Sequence, residues 1–397
     1  MSELEEENNM IEEENDDILV NQSDDTFDME LPDIPTPPEE EDYNIDDKIP
    51  VGFRFGFVGS GQGGSRIAET FHKLGYKRTC AINTAAQDLA TISIPNKLKI
   101  GNESGAGKDR DVAKRVIAEQ REDILDLFRR SFAGNIDRII VCAGAGGGTG
   151  SGTTVELIEA AREYQASVKA DSDKVGVFLA LPKITEGKRC AANAYKTLKE
   201  VLGYVKQGVV SPLVIIDNEK INKLYPRLSI NQFWSTSNNS ICTLFNLFNN
   251  IITKNSSYST FDNKDYKTVL DSGVIVFGAT QVTKWADGTD ISKAMRDNLQ
   301  KNILSGGIKL NTGTVAASVV IGDEDSLDNI PQEYLDQAFE QLTRTLKTNS
   351  TVHQGIYKGN KSGLSIFTAI GGLAAPVEKL EELARVGDVR KETDYSD

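Results

Sequence analysis

The 397-residue chain carries 44 Lys+Arg against 59 Asp+Glu, a net charge of −15, and the acidity sits at one end: residues 1–50 hold 20 acids and one base, Lys48, so the remainder is +4. No run approaches the ~20 apolar residues of a membrane helix, the N-terminus lacks the basic-then-apolar order of a secretory signal, and Cys80, Cys142, Cys190 and Cys242 form no CxxC pair and have only His72 and His353 beside them as soft ligands. A membrane protein, an exported disulfide scaffold and a zinc domain are set aside, and the composition reads as reduced and cytoplasmic.

Residues 1–50 contain five of the 11 prolines, and their few apolar residues follow neither helical nor strand spacing, so a disordered acidic tail is expected. Predicted strands at 54–58, 79–83, 138–142, 175–181 and 211–216 then alternate with predicted helices at 64–74, 110–132, 151–164 and 188–205. Nearly continuous apolar strands separated by helices indicate a parallel sheet covered on both faces, a doubly wound α/β domain over 51–228. A long central helix at 229–253, with its connecting loop to 260, follows. Strands at 273–280, 314–321, 351–357 and 363–371 around helices at 291–304 and 332–347 predict a smaller α+β domain over 261–375, and 376–397 reads as a short polar tail.

Two glycine-rich segments directly follow predicted strands. In GSGQGGS, Gly59, Gly61 and Gly64 satisfy GxGxxG, and Gln62, Gly63 and Ser65 complete the turn into a helix. A dinucleotide site would add an acid at the end of the second strand, but Asn83 stands there, followed by Thr84 and Ala85. In AGAGGGTGSGTT, Gly146, Gly147, Gly148, Thr149, Gly150 and Ser151, flanked by Gly144, Gly152, Thr153 and Thr154, predict a backbone nest for a polyphosphate at a helix N-terminus. The absence of GxxxxGK[ST] excludes a P-loop lysine mechanism. A third loop, ESGAGKDRD, adds Gly105, Gly107, Lys108 and Arg110, either near the terminal phosphate or as a solvated turn.

GGGTGSG after a strand, with a Gly-rich loop upstream, resembles the signature of the tubulin/FtsZ superfamily of GTP-binding filament proteins over about residues 53–375. The wording GSGQGG, GAGKDRD and LPKITEG resembles its phage and plasmid branch, TubZ and PhuZ, more than cell-division FtsZ. The resemblance implies GTP/GDP and Mg²⁺ as ligands. INTAAQ resembles the family's second loop, with Ala85 where many members have an Asp that arranges Mg²⁺, so the metal ligands stay unassigned. LPKITEGKR, with Glu186, resembles the ribose-contacting loop, and IDNEKI, with Asn218, its later Asn-containing loop.

On the central helix Trp234 and Asn238 are four residues apart and share a face, an aromatic ring to stack on a purine and a carboxamide to meet a guanine edge. In FDNKDYKTVLDSG, Asp262 and Asp265, spaced i, i+3, either orient a water between them or begin a helix with Asp262 as its cap. The segment resembles the family's catalytic loop, which projects into the next subunit's nucleotide site; that implies a head-to-tail homopolymer hydrolysing GTP at its contacts. Implied cargo is phage particles or plasmid DNA, reached through a basic or DNA-bound adaptor, with no direct nucleic-acid or membrane contact. An FtsZ-like division-ring protein and a nucleotide-binding module that never polymerises are the alternatives, and retention of Asp262 and Asp265 weighs against the second. The acidic tail reads as a filament spacer or a docking segment.

Overall fold

The computed structural model describes residues 52–389 apart from 103, 225, 228 and 301–306, so the expected N-terminal tail, residues 390–397 of the expected C-terminal tail and the end of the predicted 291–304 helix lie outside the described residues, while the first part of the expected 376–397 tail is helical. Apolar, β-branched segments form β1 (Phe55–Ser60) and β2 (Thr79–Asn83), each followed by a helix, α1 (Gly61–Lys73) and α2 (Ala86–Ala90). The short β3 (Asn96–Lys99) leads to α3 (Arg110–Glu119) and α4 (Arg121–Phe132). β4 (Arg138–Gly144), α5 (Gly148–Ser167), β5 (Val175–Leu181), α6 (Lys188–Lys206) and β6 (Val210–Asp217) continue the alternation. After α7 (Asn218–Leu224) come the long α8 (Ile230–Ile251) and the short α9 (Asn263–Leu270). The rest comprises β7 (Val274–Val282), α10 (Gly288–Gln300), β8 (Val315–Gly322), α11 (Glu324–Asn329), α12 (Gln332–Thr345), β9 (Thr351–Lys358), β10 (Leu364–Leu373) and α13 (Val377–Gly387).

The predicted helix 110–132 is two helices because Gln120 leaves helical geometry, and Arg121-Glu122-Asp123 supplies a fresh acidic first turn. Among the described residues ten strands form one sheet in the order β3-β2-β1-β4-β5-β6-β7-β10-β8-β9, parallel from β3 through β7. β10 runs antiparallel to both its neighbours, and β9 is parallel to β8.

α8 packs across this sheet through aromatic rings. Phe245 lies 5.0 Å from Phe55, 5.7 Å from Phe71, 5.4 Å from Phe178 and 6.3 Å from Phe277 of β7. All five rings are fully buried, so β1, β5 and β7 are held on one helix by apolar burial.

Candidate active site

The parallel strands all end on one edge, and the order reverses at β1, whose neighbours are β2 and β4. Such a switch point opens a crevice beyond the strand ends. The loops after β1 and β4 meet there. Gly61, at φ +67° in the left-handed region, turns the chain into α1, and a Cβ on it would lie 3.0 Å from the Gly150 nitrogen. Gly150 in turn packs against the backbone of Gly144, where a Cβ would fall 2.4 Å from the carbonyl oxygen. Gly64 is buried against Cys142 and sets the close approach of α1 to β4.

Both helix N-termini are uncapped by side chains and hold no acid in the first turn. The Ser60 hydroxyl is taken by Thr153, 2.5 Å away. The hydroxyls of this loop are largely committed within the protein. Thr153 and Thr154 donate to the carbonyls of Thr149 and Gly150 within α5, and Ser151 to that of Gly148 at 3.2 Å. Thr149 bonds Thr84 at 2.7 Å and Asn83 at 3.3 Å. What remains for an anion is backbone N–H and two converging helix dipoles. At Gly147 an added Cβ would meet nothing within 4 Å, so this part of the loop borders open space.

The surrounding loops are tied to this nest. The Asn193 amide donates to Lys108 O at 3.0 Å and Gly146 O at 3.3 Å, and a Cβ on Gly105 would lie 3.8 Å from that of Ala85. Gly107 and Lys108 are exposed in the same loop. Arg110 is a correction to the sequence expectation: it is buried, pairs with Glu200 at 2.5 Å and reaches Ser151 O, so it braces α3 against α5 and α6 and does not face a phosphate. Asp109 caps α3, and the N–H groups of Asp111 and Val112, with Arg189 nearby, hold its carboxyl below the usual value.

Asp88 was missed in the sequence. It receives hydrogen bonds from Asn83 at 3.0 Å and Gln62 at 3.4 Å, which places a carboxylate at this mouth three residues after Ala85. An Asp on a short helix beside INTAAQ carried no motif signal of its own.

Glu186 is exposed, and its carboxylate accepts the Lys183 N–H at 2.8 Å, folding the 181–189 loop on itself. The Lys183 ammonium stands 4.3 Å over the Phe233 ring of α8. Asn218 and Asn238 are buried at the ends of β6 and within α8. Trp234 lies in α8, with its side chain outside the described residues.

Residues 55–226 match the family described as Tubulin/FtsZ family, GTPase domain. This stretch is a GTPase domain of the tubulin/FtsZ family. Similar curated proteins are the cell division protein FtsZ of Porphyromonas gingivalis, 24% identical over 86% of this chain and 71% of that one, and the tubulin-like protein TubZ of Bacillus cereus, 27% identical over 56% and 53%. The chain thus spans about half the length of the TubZ relative. The fold is shared with a GTPγS-form protofilament of TubZ from Bacillus thuringiensis serovar israelensis (TM-score 0.75, 18% identity, 86% of this chain and 92% of that one). It is shared too with a GTPγS-bound protofilament of CetZ2 from Haloferax volcanii (TM-score 0.69, 20% identity, 84% and 98%). Among the described residues no helix is long and apolar enough to cross a membrane.

Asp262 and Asp265 do not lie with the glycine loops. α9 lies where β4, β5 and β6 begin: Arg138, the first residue of β4, pairs with Asp271 at 2.5 Å and donates to Leu270 O at 3.2 Å, and Lys267 pairs with Asp171 at 2.6 Å. β4 separates this edge from the phosphate loops by its whole length of seven residues, roughly 20 Å at the usual rise. Asp262 is the N-cap of α9, and Asp265 reciprocates in a capping box.

Proposed function

We propose that this GTPase assembles head-to-tail into filaments and hydrolyses GTP where the Asp262 loop of one subunit meets the phosphate loops of the next. The observation that carries this is the separation of the aspartates from the glycine loops by the full length of β4. No carboxylate of the α9 loop reaches its own nucleotide, and stacking one copy's strand-start edge on another's strand-end edge brings the two halves together. Two relatives of known structure are described as protofilaments, which supports the same arrangement.

The terminal phosphates bind the uncapped N-termini of α1 and α5, with Gly61–Ser65, Asn83, Gly105, Gly107 and Gly146–Ser151 shaping the nest. Glu186 lies in the ribose loop. Guanine is read by Asn218 and Asn238, with Trp234 one turn before Asn238. The Ser65 and Ser237 hydroxyls are buried on α1 and α8 without a protein hydrogen-bond partner. A Mg²⁺ accompanying the nucleotide would be held mainly by phosphate and water oxygens, and Asp88, Gln62 and Thr149 bring oxygen-bearing side chains to the mouth that would fit it. A water positioned by the neighbour's loop attacks the terminal phosphorus, and the bond to the bridging oxygen breaks with its electron pair leaving on GDP.

The wording of the glycine loops supports a filament that positions or segregates phage or plasmid cargo through an adaptor. The match to P. gingivalis FtsZ over 86% of the chain supports a division ring as the second reading. Light scattering with Mg²⁺ and GTP, GDP or ATP tests the proposal: GTP alone should give sustained polymer and phosphate release. Equal assembly with ATP would overturn the assignment of Asn218 and Asn238.

A further inference from the structure

The loop between β5 and α6 has little of its own to hold it. Its one regular piece is a 3₁₀ turn, Ile184–Glu186, with hydrogen bonds from Glu186 N–H to Lys183 O at 3.1 Å and from Lys183 N–H to the Glu186 carboxylate at 2.8 Å. A single such turn is a weak support, and Thr185, Glu186 and Gly187 are exposed. Among the described residues, one hydrogen bond ties residues 182–186 to another element: the Ile184 N–H donates to Glu219 Oε2 at 3.1 Å.

Glu219 is itself held from two sides. It lies in the first turn of α7, where its N–H donates to Asp217 Oδ1 at 3.0 Å, and Asp217 is fixed in turn by the buried Lys379 at 3.1 Å. Its side chain is 19% exposed, and Oε1 lies 3.9 Å from Lys223 Nζ one turn on, which leaves Oε2 to the loop. A shielded carboxylate accepting a backbone N–H makes a charge-assisted bond, stronger than a neutral one. On either side of this grip the loop meets other parts of the site. Pro182 packs on the glycine loop after β4, where a Cβ added to Gly146 would fall 3.0 Å from its ring carbons, and the Lys183 ammonium stands over Phe233 of α8.

We propose that Glu219 is a positioning residue for the nucleotide: through the Ile184 N–H it holds the 182–187 turn where the turn meets the ribose hydroxyls. A carboxylate that does not touch the nucleotide then sets the preference for ribose over a sugar lacking those hydroxyls. The inference rests on the assignment of this loop to the ribose made above.

Calorimetric titration of the full-length protein with GDP and with 2′,3′-dideoxy-GDP, which bind without hydrolysis, separates the two. The wild type should bind GDP about tenfold more tightly, the worth of one or two hydrogen bonds from the loop. Equal affinities would overturn the assignment of the loop to the ribose. Where the wild type discriminates, Glu219→Leu should reduce the preference to about twofold or less, by weakening GDP and leaving dideoxy-GDP unchanged. Glu219→Gln, whose side-chain carbonyl still accepts the Ile184 N–H, should keep most of the preference. Ile184→Pro removes the donor and leaves the acceptor. Ile184 is the first residue of its turn, and Lys183 before it is extended at φ −70° and ψ 151°, so proline suits the position. This variant should reproduce the Glu219→Leu result, and combining the two should add nothing further. Glu219→Leu with the wild-type preference would overturn the inference. So would an equal loss for both nucleotides, which would make Glu219 a support of the fold alone. If Glu219→Leu fails to fold, Ile184→Pro decides on the same measurement.

Discussion

Gly147 and Gly150 stand three residues apart in one loop and respond to a side chain in opposite ways. A Cβ on Gly150 would strike the Gly144 carbonyl at 2.4 Å, a backbone atom that cannot step aside, so Gly150→Ala should destabilise the fold by about 1–3 kcal/mol. Gly147 borders open space, so Gly147→Asp should fold normally and yet abolish GTP binding, because its carboxylate would sit in the anion nest. Denaturant titration and fluorescent-nucleotide binding on both variants distinguish the two outcomes; normal nucleotide affinity in Gly147→Asp would remove this loop from the phosphate site. The glycines themselves were legible in the sequence, since each follows an apolar strand. The division between packing and ligand contact was not, because GGGTGSG gives no sign of which hydrogen faces a neighbour's carbonyl.

At the scale of elements, α13 shows how a polar segment becomes structural. The sequence EKLEELARVG reads as a tail, yet Lys379, Leu383 and Ala384 form its buried face, and a Cβ on Gly387 would touch the Ala192 backbone of α6. Lys379 is 3% exposed and pairs with Asp217 at 3.1 Å and Glu382 at 2.9 Å. Asp217 closes β6 immediately before Asn218 and accepts the Glu219 N–H, so α13 steadies the loop assigned to guanine. Lys379→Met should cost about 1.5–3 kcal/mol, the worth of a charged hydrogen bond, and weaken GTP binding without altering α9. Burial opposes the Lys379 charge, but Asp217 and Glu382 outweigh it and hold its pKa above the usual lysine value. That stability is complete below the unfolded lysine pKa of about 10.4 and is lost only as pH rises through the higher folded value. Unfolding across an alkaline series should show a loss in the wild type that is absent in Lys379→Met. The long strands and α8 were legible because their apolar periodicity is sustained, whereas β3, with two lysines on an edge, and α13, with acids on its outer face, offer too little apolar signal. Asp262 and Asp265 were found by spacing, but their distance from the phosphate loops is a property of the sheet and not of any local segment.

For the whole molecule, one sheet carries the glycine loops on the edge where its parallel strands end and the α9 loop on the edge where they begin. The charge is divided as sharply, with −19 on residues 1–50 against +4 on the rest. If filaments form, like-charged tails should resist lateral association within a Debye length of about 8–10 Å at physiological salt. Deleting residues 1–48 should then increase bundling at low salt in pelleting assays and leave GTP turnover per assembled subunit unchanged; loss of assembly would make the tail a subunit contact instead. The division of the site between two copies is tested most directly by phosphate release per subunit as a function of protein concentration at saturating GTP. A shared site predicts negligible turnover below a threshold concentration and a steep rise above it that coincides with polymer. A rate per subunit that stays constant through dilution, with no polymer present, would mean that one chain holds the whole catalytic site and would contradict the account.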